Sequence, residues 1–298
     1  MIKRTLYFGN TAYLSMQNKQ LAIKRDETLP AYVPIEDLGI IILDHPQITI
    51  TQPLMVALLE NNTALITCNA SHHPIGLTLT LDGNTLYSQR SKSQIDASIP
   101  LKKQLWQQTV KAKIYNQSAV LAYTSLKPTD YLVKLGDAVK SGDSDNMEAR
   151  AAVYYWPRVF PGIPNFVRER VGEPPNSLLN YGYAILRATV ARALVGSGLI
   201  PSVGIFHRNQ YNAYCLADDV MEPYRPYVDL LVYQMLEEGI NVDELTIALK
   251  TKLLSIPVLD VKIGGKKSPL MNAVQRTCNS LVRCFDGEER KLLYPEIE

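Results

Sequence analysis

Long apolar runs are missing from this chain. The longest, such as Ile40-Ile41-Ile42-Leu43, extend over a few residues, far short of the roughly 20 needed to cross a bilayer, so no membrane association is expected. Cysteine is scarce as well. Cys68, Cys215, Cys278 and Cys284 form no C-x-x-C pair and no dense framework, which excludes a disulfide scaffold and points to buried thiols in a reducing, cytoplasmic setting. Residues 1–15 carry a basic cluster but neither an apolar stretch nor a small-residue cleavage site, so no signal peptide is expected. An excess of one charge is also lacking: 31 Lys and Arg against 29 Asp and Glu leave a net +2. No global positive field results, and an anionic partner would have to be met by local basic patches. Walker, G-x-G-x-x-G, H-E-x-x-H and G-x-S-x-G motifs are all absent, which removes several common enzyme classes. No internal repeat is visible.

What remains is a chain of 298 residues, 46% hydrophobic, long enough for about two domains and a sizeable core. Its first third reads as strands. Thr5-Leu6-Tyr7-Phe8, Ala12-Tyr13-Leu14, Gln20-Leu21-Ala22-Ile23, Gly39 to Leu43, Gln47-Ile48-Thr49-Ile50 and Ala64 to Cys68 are short apolar runs, the first of them broken by Gly and Asn at hairpin spacing. Residues 75–81 alternate cleanly and stop at Asp82-Gly83. A short helix interrupts the strands, with Pro53 in its first turn and Leu54, Leu58 and Leu59 as its stripe. Residues 88–100 turn polar, as a linker would. Beyond them the period changes from 2 to 3.6: helices are expected over 101–121, from near Asp145, over 177–199, and at 226–238, 243–254 and 269–285. The resulting architecture is α+β: a small N-terminal β domain (1–87), a linker (88–100) and a larger all-α C-terminal domain (101–298).

Few residues could carry chemistry. His45, His72 and His73 sit in turns and read as solvated filler. His207 differs, because it follows a long apolar helix and precedes Asp218, Asp219 and Glu222. On a helix those three acids would share one face, and their mutual repulsion calls for solvent or a cation. A single straight helix would separate His207 from Glu222 by about 22 Å at 1.5 Å per residue, so a common ion requires a chain break between Arg208 and Tyr214. Glu148 reads first as the third residue of a capping pattern begun by Asp145, and only second as a further acid of the same site.

Taken together, several segments resemble the CRISPR-associated integrase, the catalytic subunit that captures new spacers. They are Pro34-Ile35-Glu36-Asp37-Leu38-Gly39 with the strand after it, the stretch 61–68, Lys103-Gln104-Leu105-Trp106, and Lys111-Ala112-Lys113-Ile114. In the helical half they are Glu148-Ala149-Arg150-Ala151-Ala152, Leu178-Leu179-Asn180-Tyr181-Gly182-Tyr183, residues 204–207 and residues 216–226. Their order and spacing span nearly the whole chain, and Arg4-Thr5-Leu6-Tyr7-Phe8-Gly9-Asn10 resembles the branch associated with type II systems. The resemblance implies an N-terminal β-sandwich-like domain and a helical C-terminal one. It implies catalytic metal ligands at Glu148, His207 and Glu222, with Asp218 and Asp219 behind them. Two carboxylates and an imidazole suit Mg²⁺ or Mn²⁺.

The implied reaction is attack of a DNA 3′-OH on a repeat phosphodiester, with nuclease activity when water replaces the hydroxyl. The implied partners are double-stranded DNA with 3′-OH ends, CRISPR repeat DNA, a second copy in a homodimer, a small second adaptation subunit and other type II CRISPR proteins. A stand-alone metal-dependent DNase and a non-enzymatic DNA-binding scaffold remain as alternatives. Lys102, Lys103, Arg150, Arg168, Arg170 and Arg208 are candidate DNA contacts, with Lys111, Lys113, Arg158, Lys262, Lys266 and Lys267 as further basic positions. Tyr154, Tyr155 and Trp156 are candidate stacking residues, although consecutive aromatics on a helix cannot all face one way.

Overall fold

The alternating first third of the chain folds into two four-stranded sheets. The computed structural model describes residues 3–25, 29–81, 83–125 and 130–298; residues 1 and 2 and the expected turn at Asp82 lie outside the described residues. The strands are β1 (Arg4–Phe8), β2 (Ala12–Gln17), β3 (Gln20–Lys24), β4 (Ala31–Pro34), β5 (Leu38–Leu43), β6 (Ile48–Ile50), β7 (Ala64–Cys68) and β8 (Pro74–Thr78). One sheet runs β4-β3-β2-β6 and the other β1-β5-β7-β8. Asn18 and Lys19, both left-handed at φ 50° and 58°, close the tight turn that sets the β2–β3 register. Helix α1 (Gln52–Glu60) buries Leu54 and Leu58.

Why β5 is an unbroken apolar run becomes clear from its two faces. Leu38 and Ile41 pack with Leu14, Leu54 and Leu65 in a small core between the sheets and α1. Ile40 and Ile42, with Ala64 and Ile66 of β7, face the helical core instead. Both faces of this strand are dry, so the polar half of the usual alternation is missing.

The helical half contains α2 (Tyr87–Asp96), α3 (Ile99–Ser125), α4 (Asp130–Ala138), α5 (Met147–Val159), α6 (Asn176–Gly196), α7 (Cys215–Met221), α8 (Arg225–Glu237), α9 (Ile247–Leu253) and α10 (Leu270–Phe285). Helix α6 is buried along its length, and Gly182 lets α8 approach: a β-carbon there would lie 2.6 Å from Val228 Cγ1. One expectation needs correction. Residues 88–100 are not a polar linker but α2 and the first turn of α3. Their polarity has another cause. Gln94 is fully buried and donates to the carbonyls of Ile200 (2.9 Å) and Val203 (2.7 Å) while accepting from Ile200 N (2.8 Å). The larger C-terminal part is helical, as expected, with one short sheet added to it. β9 (Asp260–Ile263), β10 (Lys266–Pro269) and β11 (Pro295–Glu296) form a small sheet, and the basic, Gly-rich segment is the β9–β10 hairpin turning at Gly264 and Gly265 (φ 55° and 74°). Among the described residues no helix is long and apolar enough to cross a membrane.

Candidate functional site

Glu148 lies in the first turn of α5, but not as the capping pattern predicts. The helix starts at Met147 after a left-handed Asn146 (φ 54°), and the cap is Asp143, whose carboxylate accepts from Met147 N (2.8 Å) and Glu148 N (3.1 Å). Asp145, expected as the cap, pairs with Lys140 at 2.7 Å. Capping therefore makes no use of the Glu148 carboxylate. It points to α3, where Lys113 Nζ lies 2.6 Å from its Oε1.

Glu222 begins a single 3₁₀ turn between α7 and α8, and its side chain is only 5% exposed. Arg225 donates to Oε1 at 2.6 Å, and Lys113 Nζ stands 2.5 Å from Oε2. Burial disfavours the charged carboxylate, but the Arg225 guanidinium and the Lys113 ammonium outweigh it and hold the carboxyl at about 2. Oε2 is nevertheless in no hydrogen-bond geometry with any described donor. One ammonium thus bridges the two sequence-predicted acids, which reach it from separate helices.

His207 comes from the segment between α6 and α7, which supplies the chain break required between Arg208 and Tyr214. Two buried side chains pin this segment. Gln94 fixes its start, as above. Asp219, 0% exposed, accepts from Ile205 N (2.6 Å), Phe206 N (2.9 Å) and His207 N (3.2 Å), and meets His207 Nδ1 at 2.5 Å. Gly204 is obligatory here, since a β-carbon would fall 2.4 Å from the His207 carbonyl and 2.8 Å from Asp219 Oδ2. With Nδ1 committed to Asp219, Nε2 is the nitrogen left for a ligand. The hydrogen bond to Asp219 raises the His207 pKa above its ordinary value, burial opposes it, and the charges of Asp219, Glu222 and Glu148 add to the rise. Trp106 of α3 stacks parallel on Phe206 at 4.3 Å and meets the imidazole edge-on at 5.6 Å.

Not every predicted residue joins this group. Asp219 is tied to the group through His207, whereas Asp218 turns away to Arg187 Nε (2.7 Å) and Asn212 Nδ2 (2.7 Å). The chemistry of the Glu148–Glu222 pair fits a hard cation. A charged ammonium already lies between the two carboxylates, and Glu222 Oε2 is buried without a hydrogen-bond donor. Among the described residues no three His, Cys, Asp or Glu side chains close on one point, so His207 stands beside the pair.

The basic candidates divide. Lys102, one turn before Trp106, feels the charge of Arg208, and both lie on the His207 side; Lys103 packs under Gly142. Arg150 is exposed next to the Glu148 turn. Arg168 is held by Asn176 (3.0 Å) and Asn180 (2.6 Å), which gives it a structural task, and Arg170 is exposed nearby. Tyr155 is core, with its hydroxyl donating to the buried Asp229 at 2.9 Å, whereas Tyr154 is covered by Arg158, 4.0 Å from its ring centre. Sequence reasoning missed Arg225, Asp143 and Gln94, and it read Lys113 only as a phosphate contact. The i,i+3 spacing of Glu222 and Arg225 was a signal in plain view.

Comparison with known proteins gives the family and the fold. Residues 6–251 match the family described as CRISPR associated protein Cas1. The chain is 36% identical over 302 residues to the CRISPR-associated endonuclease Cas1 of Neisseria meningitidis serogroup C (strain 8013), covering 100% of this chain and 97% of that protein. Its fold resembles a casposase bound to an integration product, with a TM-score of 0.79 at 21% identity, covering 98% of this chain and 92% of that one. It also resembles part of a chain in a Cas6-RT-Cas1–Cas2 complex, with a TM-score of 0.77 at 21% identity, covering 99% of this chain and 36% of that one.

Proposed function

The chain belongs to the Cas1 family of CRISPR-associated proteins, and on that premise we propose that it is a divalent-metal-dependent DNA integrase and endonuclease. Its reaction is insertion of captured DNA fragments into a CRISPR array, in which a donor 3′-OH attacks a phosphodiester of the repeat. The observation that carries this reading is the pairing of Glu148 and Glu222 across one cationic point, with His207 fixed beside them by Asp219. Glu148, His207 and Glu222 would hold Mg²⁺ or Mn²⁺, and such an ion supplies Lewis-acid activation of a hydroxyl and charge neutralisation at a phosphate.

The chain's own residues do the rest. Arg225 orients Glu222 and Asp143 sets the Glu148 turn, so both carboxylates are positioned before DNA arrives. Asp219 selects the imidazole nitrogen that faces the site. Lys102 and Arg208 form a basic edge beside His207 for the DNA backbone, and the half-exposed Phe206 ring, backed by Trp106, offers a flat face next to it. The casposase relative, bound to an integration product, supports strand transfer, and the Cas1–Cas2 complex supports a small second subunit. A homodimer acting with that subunit, type II CRISPR partners and a cytoplasmic location complete the proposal. The test is donor integration with Mn²⁺ and the small subunit: Glu148→Ala should abolish it, and retained integration would refute the assignment.

A further inference from the structure

The two acids of the site already share a cation of their own. Lys113 rises from the middle of α3 with its side chain only 12% exposed, 2.6 Å from Glu148 Oε1 and 2.5 Å from Glu222 Oε2. Arg225 covers the other Glu222 oxygen. Two carboxylates, one ammonium and one guanidinium sum to zero, so the group is balanced without any added ion. A divalent cation needs the same oxygen lone pairs at about 2.0–2.2 Å, and it cannot take them while an ammonium stands against both. The lysine stem has four rotatable carbons and ends in a point charge rather than a fixed fork, so its head can withdraw while the backbone of α3 stays in place.

We propose that Lys113 is an exchangeable resident cation: it holds Glu148 and Glu222 in position in the metal-free protein, and a divalent ion binds by displacing its ammonium from between them. The inference rests on the metal-dependent reading above and adds a positioning residue to it. It explains why Glu222 Oε2 faces a cation at 2.5 Å outside hydrogen-bond geometry: the pocket is shaped for a ligand bond rather than for an ammonium. It also explains why His207 stands beside the pair instead of closing on it, since its third place is taken up only when the ammonium leaves.

The experiment is a Mn²⁺ titration of the full-length protein without DNA, followed by electron paramagnetic resonance, for wild type, Lys113→Met and Lys113→Gln. The expected result is at least a tenfold tighter Mn²⁺ affinity in the neutral variants, together with a larger rise of melting temperature on adding Mn²⁺ than wild type shows. Equal or weaker affinity in the variants would overturn the exchange while leaving the metal reading standing. Absence of Mn²⁺ binding in all three proteins would overturn both. Wild-type protein provides a readout that does not depend on a variant folding: with ¹⁵N-labelled lysine, saturating Mg²⁺ should shift the Lys113 Nζ resonance, and an unmoved resonance under Mg²⁺ would count against the exchange.

Discussion

Replacing Asp219 by Asn tests the most concentrated piece of the site. The carboxylate is fully buried, with Oδ2 accepting from Ile205 N and Phe206 N and Oδ1 from His207 N and the imidazole. Asparagine keeps the shape but offers one oxygen, so whichever way the amide turns, two of the four partners meet an NH₂ group. Hydrogen bonds to a charged acceptor contribute about 1.5–3 kcal/mol each, and a buried donor left unpaired costs about 1–3 kcal/mol, which together set an expected loss of about 3–5 kcal/mol. Urea unfolding should show this as a lower midpoint at constant slope. The same substitution should lower the His207 pKa, measured by NMR, because the hydrogen bond to Asp219 is the largest cause of its rise, and burial is then opposed only by the charges of Glu222 and Glu148. The sign with pH follows. A folded-state pKa above the unfolded one means the His207–Asp219 pair stabilises fully below the unfolded value and loses that contribution as pH rises through the folded value. The stability gap between wild type and variant should therefore narrow with rising pH over that range. A loss under about 1 kcal/mol with an unchanged imidazole pKa would refute the idea that Asp219 positions His207.

Two other substitutions probe the scaffold around the site. Gly204→Ala places a β-carbon 2.4 Å from a backbone carbonyl, so it should cost about 1–3 kcal/mol in thermal or urea unfolding and weaken donor integration by displacing His207. Lys250, 2% exposed, pairs at 2.8 Å with the equally buried Asp44 at the end of β5; Lys250→Met should cost about 3–5 kcal/mol, and Asp44→Asn in that background should recover part of it. Burial disfavours the charged form of Asp44, but hydrogen bonds from Lys250, Tyr7 and His72 outweigh it and hold its pKa below 3.8, so this pair stabilises above that value and fades as the pH falls further. In Lys250→Met the folded-state pKa of Asp44 should move up toward or past its unfolded value, so the Asp44-linked loss of stability on acidification should shrink or reverse, which a stability-versus-pH series would detect.

The two-part architecture was legible because period 2 and period 3.6 occupy different stretches of chain. What misled the reading was polarity with a buried purpose. Gln94 and Ser91 made residues 88–100 look like a linker, although Gln94 is sealed in the interior by three backbone bonds. Short strands near the C-terminus were hidden because β9 and β10, four residues each, give too few alternations to register. Around the site, Asp145 fitted a capping rule that the left-handed Asn146 hands to Asp143 instead. Lys113 illustrates the limit best. Its contacts lie 35 positions away on Glu148 and further still on Glu222, and only packing of α3 against α5 and the turn after α7 brings them together.

Strand β5 is a party wall. Its alternate side chains belong to two different interiors, so the N-terminal sheets cannot melt or be cut away without stripping one side of the helical half. A fragment ending near residue 87 would leave Ile40, Ile42, Ala64 and Ile66 facing water, and the remainder would lose their cover. Separating the halves therefore means breaking a shared interior rather than severing a tether.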